Sequence, residues 1–597
     1  MTDRSQDGER SSVWNRLRRR KVVQWGLAYA AGAWGLLQGL QFVTEAFGWP
    51  SRMLKLGAVA AMLGLPLALA LAWFRGERGA QRVTRAELAV VTSLFLIGGG
   101  LFWYYHRTSA ELDAQVTTQS APPSSSAATA PPADRSIAVL PFVNMSPDAE
   151  QAYFADGIAE ELLNLLAKVP ELRVIARTSS FAFKGKDVGI AEIAQQLNVT
   201  HVLEGSVRRS GDTLRITAQL IRTSDSSHLW SGTYDRQMTD VFKVQDEIAG
   251  AVVAELKVKL LGAAPTATRA DPMAYPLLLE AKALADRGTP SDRVQAVALY
   301  KEALAIEPAE ARAWAGLGRI YFVQAVNGEI DRLDGARLAR EVVDRALTLD
   351  PRNSSALALR ARIASDFDLD LPTAARYLQQ ALEADSGNLA AINNAATLLE
   401  YLGRIDEAVA LYEYRASRDP VNAAALMNLA TAYARARRWD DAIAAYRALL
   451  QLSPSYTVAS TSLGEALLIG KGDAAGALAA CEADADSPWR TACLVTAFHA
   501  LGRSAESRSA LKSLIDGHLE DQPLLIASTH ASLGDGDAAF AALDRAALIR
   551  DPSLASVLLN PSFDRVRDDP RWQPFLRKVG FAPEQLARIE FKVTLPQ

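Results

Sequence analysis

Apolar residues are arranged in three different ways along the 597-residue chain, and each change of pattern marks a boundary. Near the start they run almost uninterrupted, over Val22 to Phe47, Leu54 to Phe74 and Leu88 to Tyr105. A helix needs about 20 apolar residues to cross a hydrocarbon core, so these stretches predict three transmembrane helices within 22–106. A secretory signal would carry a shorter apolar region of about 7–15 residues, which Val22 to Phe47 exceeds. From 135 to 262 the period shortens. Ile137-Ala-Val-Leu140 and Arg173-Val-Ile-Ala176 read as buried strands. Ile158, Leu162, Leu166 and Val169, and then Ile190, Ile193, Ala194 and Leu197, repeat as helices do. His201 to Arg208 and the alternating Leu214, Ile216, Ala218 and Leu220 predict a hairpin about Ser210-Gly-Asp212. A strand near Leu229 to Tyr234 and a helix over Val241 to Leu261 complete a β-α-β-α-β-β-β-α module, an α/β fold.

Charge flanking the apolar stretches sets an orientation. Arg16, Arg18, Arg19, Arg20 and Lys21 precede the first, and Arg75, Arg78, Arg82 and Arg85 lie between the second and third. Cationic loops stay in the cytoplasm, so residues 1–21 read as a cytoplasmic basic tail and everything after 106 as extracytoplasmic. Ala31, Gly35 and Gly39 recur at every fourth position. Such spacing lets helix backbones approach closely, either within the three-helix unit or in a homodimer through Gly35 and Gly39. Residues 107–134, rich in Ser, Ala, Thr and Pro, cannot bury enough apolar area to fold and read as a flexible linker.

Beyond residue 277 a longer period takes over. Pro420, Pro454 and Pro488 are evenly spaced, at the period of a tetratricopeptide helix-turn-helix, about 34 residues. Trp314-x-x-Leu317-Gly318-x-x-Tyr321 matches that repeat's pattern. Its closing proline stands at Pro351, where 342 is expected, which fits an insertion near Asn327 to Gly335. About eight repeats are predicted over 277–552, an all-α TPR superhelix, with 553–597 as a C-terminal cap. One repeat cannot bury its own apolar face, so stacking is obligatory.

Four segments of the module, Phe154-Ala-Asp-Gly-Ile-Ala-Glu-Glu-Leu162, Arg177-Thr-Ser-Ser-Phe181, Leu203-Glu-Gly-Ser206 and Val244-Gln-Asp-Glu-Ile248, resemble the TolB N-terminal-like module of bacterial membrane proteins, where it precedes tetratricopeptide repeats. The resemblance implies a multi-domain bacterial membrane protein with the lipid bilayer as one partner, and the orientation set by charge then puts it in the inner membrane with its soluble domains in the periplasm. Relatives of this architecture can carry a nucleotide-cyclase or winged-helix domain on the cytoplasmic side, and the short segment ahead of Val22 leaves no room for one.

Composition bears mainly on chemistry. The balance of 64 basic and 68 acidic residues gives a net charge of -4, without the excess of cationic residues expected of a nucleic-acid-binding protein. No GxxxxGK[ST], HExxH or GxSxG motif occurs, and the six histidines lack metal-ligand spacing. The expectation is therefore no enzyme, no cofactor and no metal. His201 and His228 read as fold residues. Cys481 and Cys493 lie symmetrically about position 487, at a turn between two helices. They read either as buried thiols or as a disulfide across that turn.

Two sites remain as candidates. In peptide-binding tetratricopeptide repeats the sixth residue of the first helix is an asparagine that bonds the ligand backbone. Counting from Leu389 and Ala423 places Asn394 and Asn428 there, with Asn393, Met427, Thr431 and Arg435 on or near the same face; they serve either a ligand or the neighbouring helix. The second candidate is a polar loop, Arg177, Thr178 and Ser179 with Arg208, near Asp156 and Lys184, suited to a small anion. The function expected is a membrane-anchored extracytoplasmic scaffold binding a protein or peptide through its repeat groove. The alternative is a regulatory or signal-transducing subunit that couples envelope binding to a cytoplasmic partner.

Overall fold

The computed structural model describes residues 135–146, 152–169, 172–256, 271–549 and 551–595, all within one compact unit, Thr129–Gln597. Among the described residues no helix is long and apolar enough to cross a membrane. The expected architecture, with three spanning helices and an inner-membrane location, is corrected accordingly to a mixed-sheet module followed by a large helical region. The three apolar stretches of 22–106, including Gly35 and Gly39, lie outside the described residues.

The module's strands are β1 (Ser136–Val139), β2 (Val143–Asn144), β3 (Arg173–Val174), β4 (His201–Ser210), β5 (Thr213–Arg222) and β6 (His228–Gln237). They form one sheet in the order β3-β1-β4-β5-β6, with β2 pairing β4. β1 runs parallel to β3 and β4, placing Ile137 beside both Val174 and His201. β4, β5 and β6 continue antiparallel. Ile137, Ala138 and Val139 are fully buried, as a strand with parallel neighbours and both faces covered requires. β5 buries Leu214, Ile216, Ala218 and Leu220 and exposes Thr213 and Arg215, so one face meets the core. Gly211, at φ +59°, supplies the left-handed backbone of the β4–β5 turn.

The order of strands and α-helices departs from the sequence reading at two places, the two-residue β2 and the five-residue helix Arg177–Phe181. Neither is long enough to display a period. The closing helix runs over Val241–Glu255.

Eight helix pairs follow among the described residues, from Ala274–Arg287 with Pro290–Ile306 to Pro523–Leu533 with Gly536–Leu548. Asparagine side chains cap the first helix of three consecutive pairs, Asn353, Asn388 and Asn422 accepting from backbone amides one turn in. Small residues admit large ones between helices. A Cβ on Gly316 would stand 2.5 Å from the Tyr300 ring, and one on Gly318 2.6 Å from Val343. The extra residues of the second pair lengthen its helices, Ala311–Val326 and Arg332–Leu349, and widen the connection between them.

Module and repeats share one core, which runs from Ile137 through Phe154 and Tyr275 to Val342. Tyr275 of the first pair is fully buried edge-on to Phe242, centroids 4.9 Å apart, and its hydroxyl accepts from Gln245 Nε2 at 3.1 Å. Gly157 lets the module helix Ala152–Ala167 approach the first pair, since a Cβ there would lie 2.5 Å from Leu279. At the other end the residues after 551 fold back. Arg404 Nη1 donates to the Phe591 carbonyl at 2.6 Å and Arg437 pairs with Asp564 at 2.6 Å.

Candidate partner-binding surface

The first helices of the fourth and fifth pairs, Leu389–Tyr401 and Ala423–Arg435, place Asn393, Asn394, Met427, Asn428, Thr431 and Arg435 along one half-buried face. The asparagines and Arg435 are linked to neighbouring repeats, and Met427 and Thr431 to the second helix of their own repeat. Asn394 Nδ2 donates to the Ala358 carbonyl at 3.3 Å, and Asn394 Oδ1 accepts from Arg362 at 3.4 Å. Asn428 Nδ2 donates to Asn393 Oδ1 at 2.9 Å. Thr431 shares a hydrogen bond with the Tyr446 hydroxyl at 3.2 Å, as Thr397 does with Tyr412 at 3.0 Å. Met427 packs against the apolar cluster that includes Ile443 and Tyr446.

Arg435 carries the strongest of these links. Its Nη1 lies 2.6 Å from Glu400 Oε2, on a carboxylate only 5% exposed. Burial raises the Glu400 carboxyl above its ordinary range, and Arg435 opposes that rise. Burial likewise pushes the Tyr446 hydroxyl up to about 12. The face is thus a pre-ordered polar ladder between repeats, in which Asn428 Oδ1 and Asn393 Nδ2 have no bond among the described residues.

The second candidate site is a joint between module and repeats. Arg177 Nε lies 3.1 Å from Glu160 and Arg177 Nη1 3.2 Å from Asp286 of the first helix pair. Lys282 contacts both acids at 2.8 Å, and Arg319 contacts Asp286 at 2.8 Å. Burial works to raise the Asp286 carboxyl, but Lys282, Arg319 and Arg177 outweigh it and hold it at about 2. Thr178 Oγ1 and Ser179 Oγ donate to the two oxygens of Asp419 at 2.9 and 2.7 Å, and Asn422 adds a third bond at 2.6 Å. The loop does hold an anion, and that anion is a buried carboxylate of the same chain. Arg208 stands apart on β4, exposed and opposite Arg215. Lys184 pairs with Asp156 inside the helix Ala152–Ala167.

Asp419, Glu160, Glu400 and Asp286 escaped the sequence reading. Each is an ordinary acid on a helix or turn, and only its neighbours distinguish it. His201 Nδ1 is bonded to Thr200 Oγ1 at 3.0 Å, and burial lowers its pKa. Among the described residues no group of three His, Cys, Asp or Glu side chains is placed to hold a metal ion. Cys481 and Cys493 are joined in a disulfide, Cα atoms 5.7 Å apart, linking the sixth helix pair to the seventh.

Two family models match the chain. Residues 393–457 match the tetratricopeptide repeat, and residues 133–251 match the second domain of HilA/YgeH-like transcriptional regulators. A Rhizobium meliloti (strain 1021) protein described as "Putative adenylate cyclase 3" is 43% identical over 222 residues, 36% of this chain and 38% of that protein. The chain therefore spans well under half the length of this curated relative. The expectation of a protein without enzymatic character is corrected by that similarity. Among solved structures, the type IV pilus biogenesis factor PilW is 20% identical, covering 35% of this chain and 96% of its own at a TM-score of 0.30. YrrB, described as a TPR protein with an unusual peptide-binding site, is 22% identical, covering 31% and 89% at a TM-score of 0.23.

Proposed function

We propose that the chain is an interaction scaffold whose helical repeats hold an extended protein or peptide partner along the face formed by Asn393, Asn394, Met427, Asn428, Thr431 and Arg435. The tetratricopeptide match over residues 393–457 supports a partner-binding role. The observation that carries the choice of face is the Asn428–Asn393 bond. It orients both amides and leaves one acceptor and one donor for the backbone of a strand-like ligand, at little ordering cost on binding. In this reading the module, whose motifs resemble TolB N-terminal-like sequences, is a rigid base. Arg177, Thr178 and Ser179 join it to the repeats. The test is a photo-reactive residue in place of Met427 in the full chain. Crosslinks to a discrete partner that fade in N393A/N428A support the reading, and crosslinks unaffected by that change remove it.

A second reading rests on the cyclase-named relative. The chain takes part in nucleotide cyclisation, with partner binding at the repeats felt by the module through the Asp419 joint. Cyclic AMP formation from ATP, measured on the full chain with Mg²⁺ or Mn²⁺, tests it. Turnover that persists in D419A removes the joint from that reading.

A further inference from the structure

The sheet ends on an open strand. β6, ten residues long, pairs with β5 alone, and no strand among the described residues extends the sheet beyond it. Met238 N–H donates to the Asp212 carbonyl at 2.7 Å, which fixes the phase of the β5–β6 ladder. Backbone groups alternate along an antiparallel pair. Gly232 and Tyr234 therefore face β5, while Ser231, Thr233 and Asp235 turn their N–H and C=O groups away from it. Natural edges are commonly blunted by shortness, proline or lysine, and β6 has none of these. Its charges are already matched within the chain, Asp235 by Arg215 at 2.7 Å and Arg236 by Glu247 at 3.6 Å.

Trp230 and Tyr234 are half-buried on the core face of the sheet, opposite Leu220 and Ile216. Both crowd over Gly232, where a Cβ would lie 2.7 Å from the Trp230 ring and 3.0 Å from the Tyr234 ring. The helix Val241–Glu255 covers this face, with Glu247 reaching Arg236 on β6. One turn on from Glu247, Gly250 and Ala251 are partly exposed, and a turn later Ala254 is exposed. A Cβ on Gly250 would meet nothing within 4 Å. Small residues with open space above them admit a second helix at the close end of the usual spacing, about 8–10 Å between axes.

We propose that β6 pairs antiparallel with β6 of a second copy of the chain, about a two-fold axis at Gly232, joining two six-stranded sheets into one. The strand is complementary to itself in that register. Ser231 stands opposite Thr233 of the second copy, and their outward backbone groups exchange hydrogen bonds. Trp230 stands opposite Tyr234 of the second copy, twice over, and such aromatic cross-strand pairs are favourable. A register centred on Asp235 would set like charges against each other. The same two-fold axis brings the helix Val241–Glu255 of each copy beside the other on one face of the joined sheet, where Gly250, Ala251 and Ala254 leave room. An isolated peptide strand would fill the edge and leave that helix face uncovered. The pairing is independent of the partner-binding face of the repeats.

The test co-expresses two versions of the full chain, Ser231→Cys and Thr233→Cys. In this register the two positions form a hydrogen-bonded pair with Cα atoms about 5.5 Å apart, within the range of about 4.4–6.8 Å that a disulfide spans. Oxidation with copper phenanthroline should give a band at twice the chain mass on a non-reducing gel, at least fivefold stronger than from either variant expressed alone. Adding Gly250→Arg to both chains should weaken that band at least fivefold while leaving helical circular dichroism unchanged. In sedimentation velocity the unmodified chain should run as a dimer and Thr233→Pro as a monomer, since that proline removes only an N–H turned away from β5. No band from the co-expressed pair, a crosslink only to some other protein, or a dimer that survives Thr233→Pro would overturn the pairing. An equal band from one variant alone would overturn the register. A band untouched by Gly250→Arg would remove the helices from the interface.

Discussion

Ser179 donates a hydrogen bond to Asp419 across 240 residues of sequence, at 2.7 Å, and so ties the α/β module to the turn between the fourth and fifth helix pairs. Asp419 is 3% exposed and also receives Thr178 and Asn422. Removing it leaves the buried Ser179 hydroxyl without its acceptor, together with the exposed Thr178 and the half-buried Asn422. An unsatisfied buried polar group costs about 1–3 kcal/mol, so Asp419→Ala should destabilise the full chain by about 1–3 kcal/mol in urea denaturation. Asp419→Asn, which keeps one carbonyl oxygen, should lose less. Equal, negligible losses for both would mean the joint carries no stability.

The charged network around Asp286 makes the same interface sensitive to acid. Its folded pKa, about 2, lies below the ordinary value of 3.8. The unfolded chain therefore binds the proton more readily. The stabilisation is fully present above about pH 4 and is lost as pH falls toward 2. A downward shift of this size corresponds to about 2 kcal/mol. Melting temperatures between pH 5 and pH 2 should fall less steeply in Asp286→Asn than in the unmodified chain. Parallel curves would exclude Asp286 as a source of the acid response.

Asn394 and Asn428 should separate by their existing bonds. Asn394 is committed to Ala358 and Arg362, so Asn394→Ala should lower stability by about 1 kcal/mol. Asn428 keeps a free carbonyl oxygen, and Asn428→Ala should weaken partner capture by about 1–3 kcal/mol. Unchanged capture in both variants, with a lower melting temperature, would make these asparagines framework residues.

Cys481 and Cys493 close a loop with a sequence separation of 12 residues. A crosslink of about that length restricts the unfolded chain by about 3 kcal/mol. Double replacement by serine should lower the denaturation midpoint by a comparable amount, and a reductant should do the same to the unmodified chain. Thiol alkylation of the unfolded protein, with and without reductant, counts the bridge directly, and equal labelling would rule it out.

The repeats were legible because their signals are local and recur. The Trp314-x-x-Leu317-Gly318-x-x-Tyr321 pattern lies within one helix, and a proline closes successive repeats. The strands of the module could be read for a similar reason: a strand buried on both faces, such as Ile137 to Val139, must be apolar throughout. Residues 22–106 were read from hydropathy alone, and the described helices supply no spanning segment to set beside that reading. The absence of catalytic motifs likewise led to a non-enzyme expectation that similarity to a cyclase-named protein overturns. Short motifs report only chemistry that is contiguous in sequence. Tertiary structure alone decided what the polar residues do. Thr178 and Ser179 could be recognised as anion-binding groups, but their anion, Asp419, lies on another domain and has no local mark. Gly157 appears in sequence as one more helix glycine, and only the approach of Leu279 makes it necessary. Counting sets Asn394 and Asn428 at equivalent positions of successive first helices, yet their partners depend on how far one repeat is rotated against the next. That rotation comes from packing summed over whole helices, and no single residue encodes it.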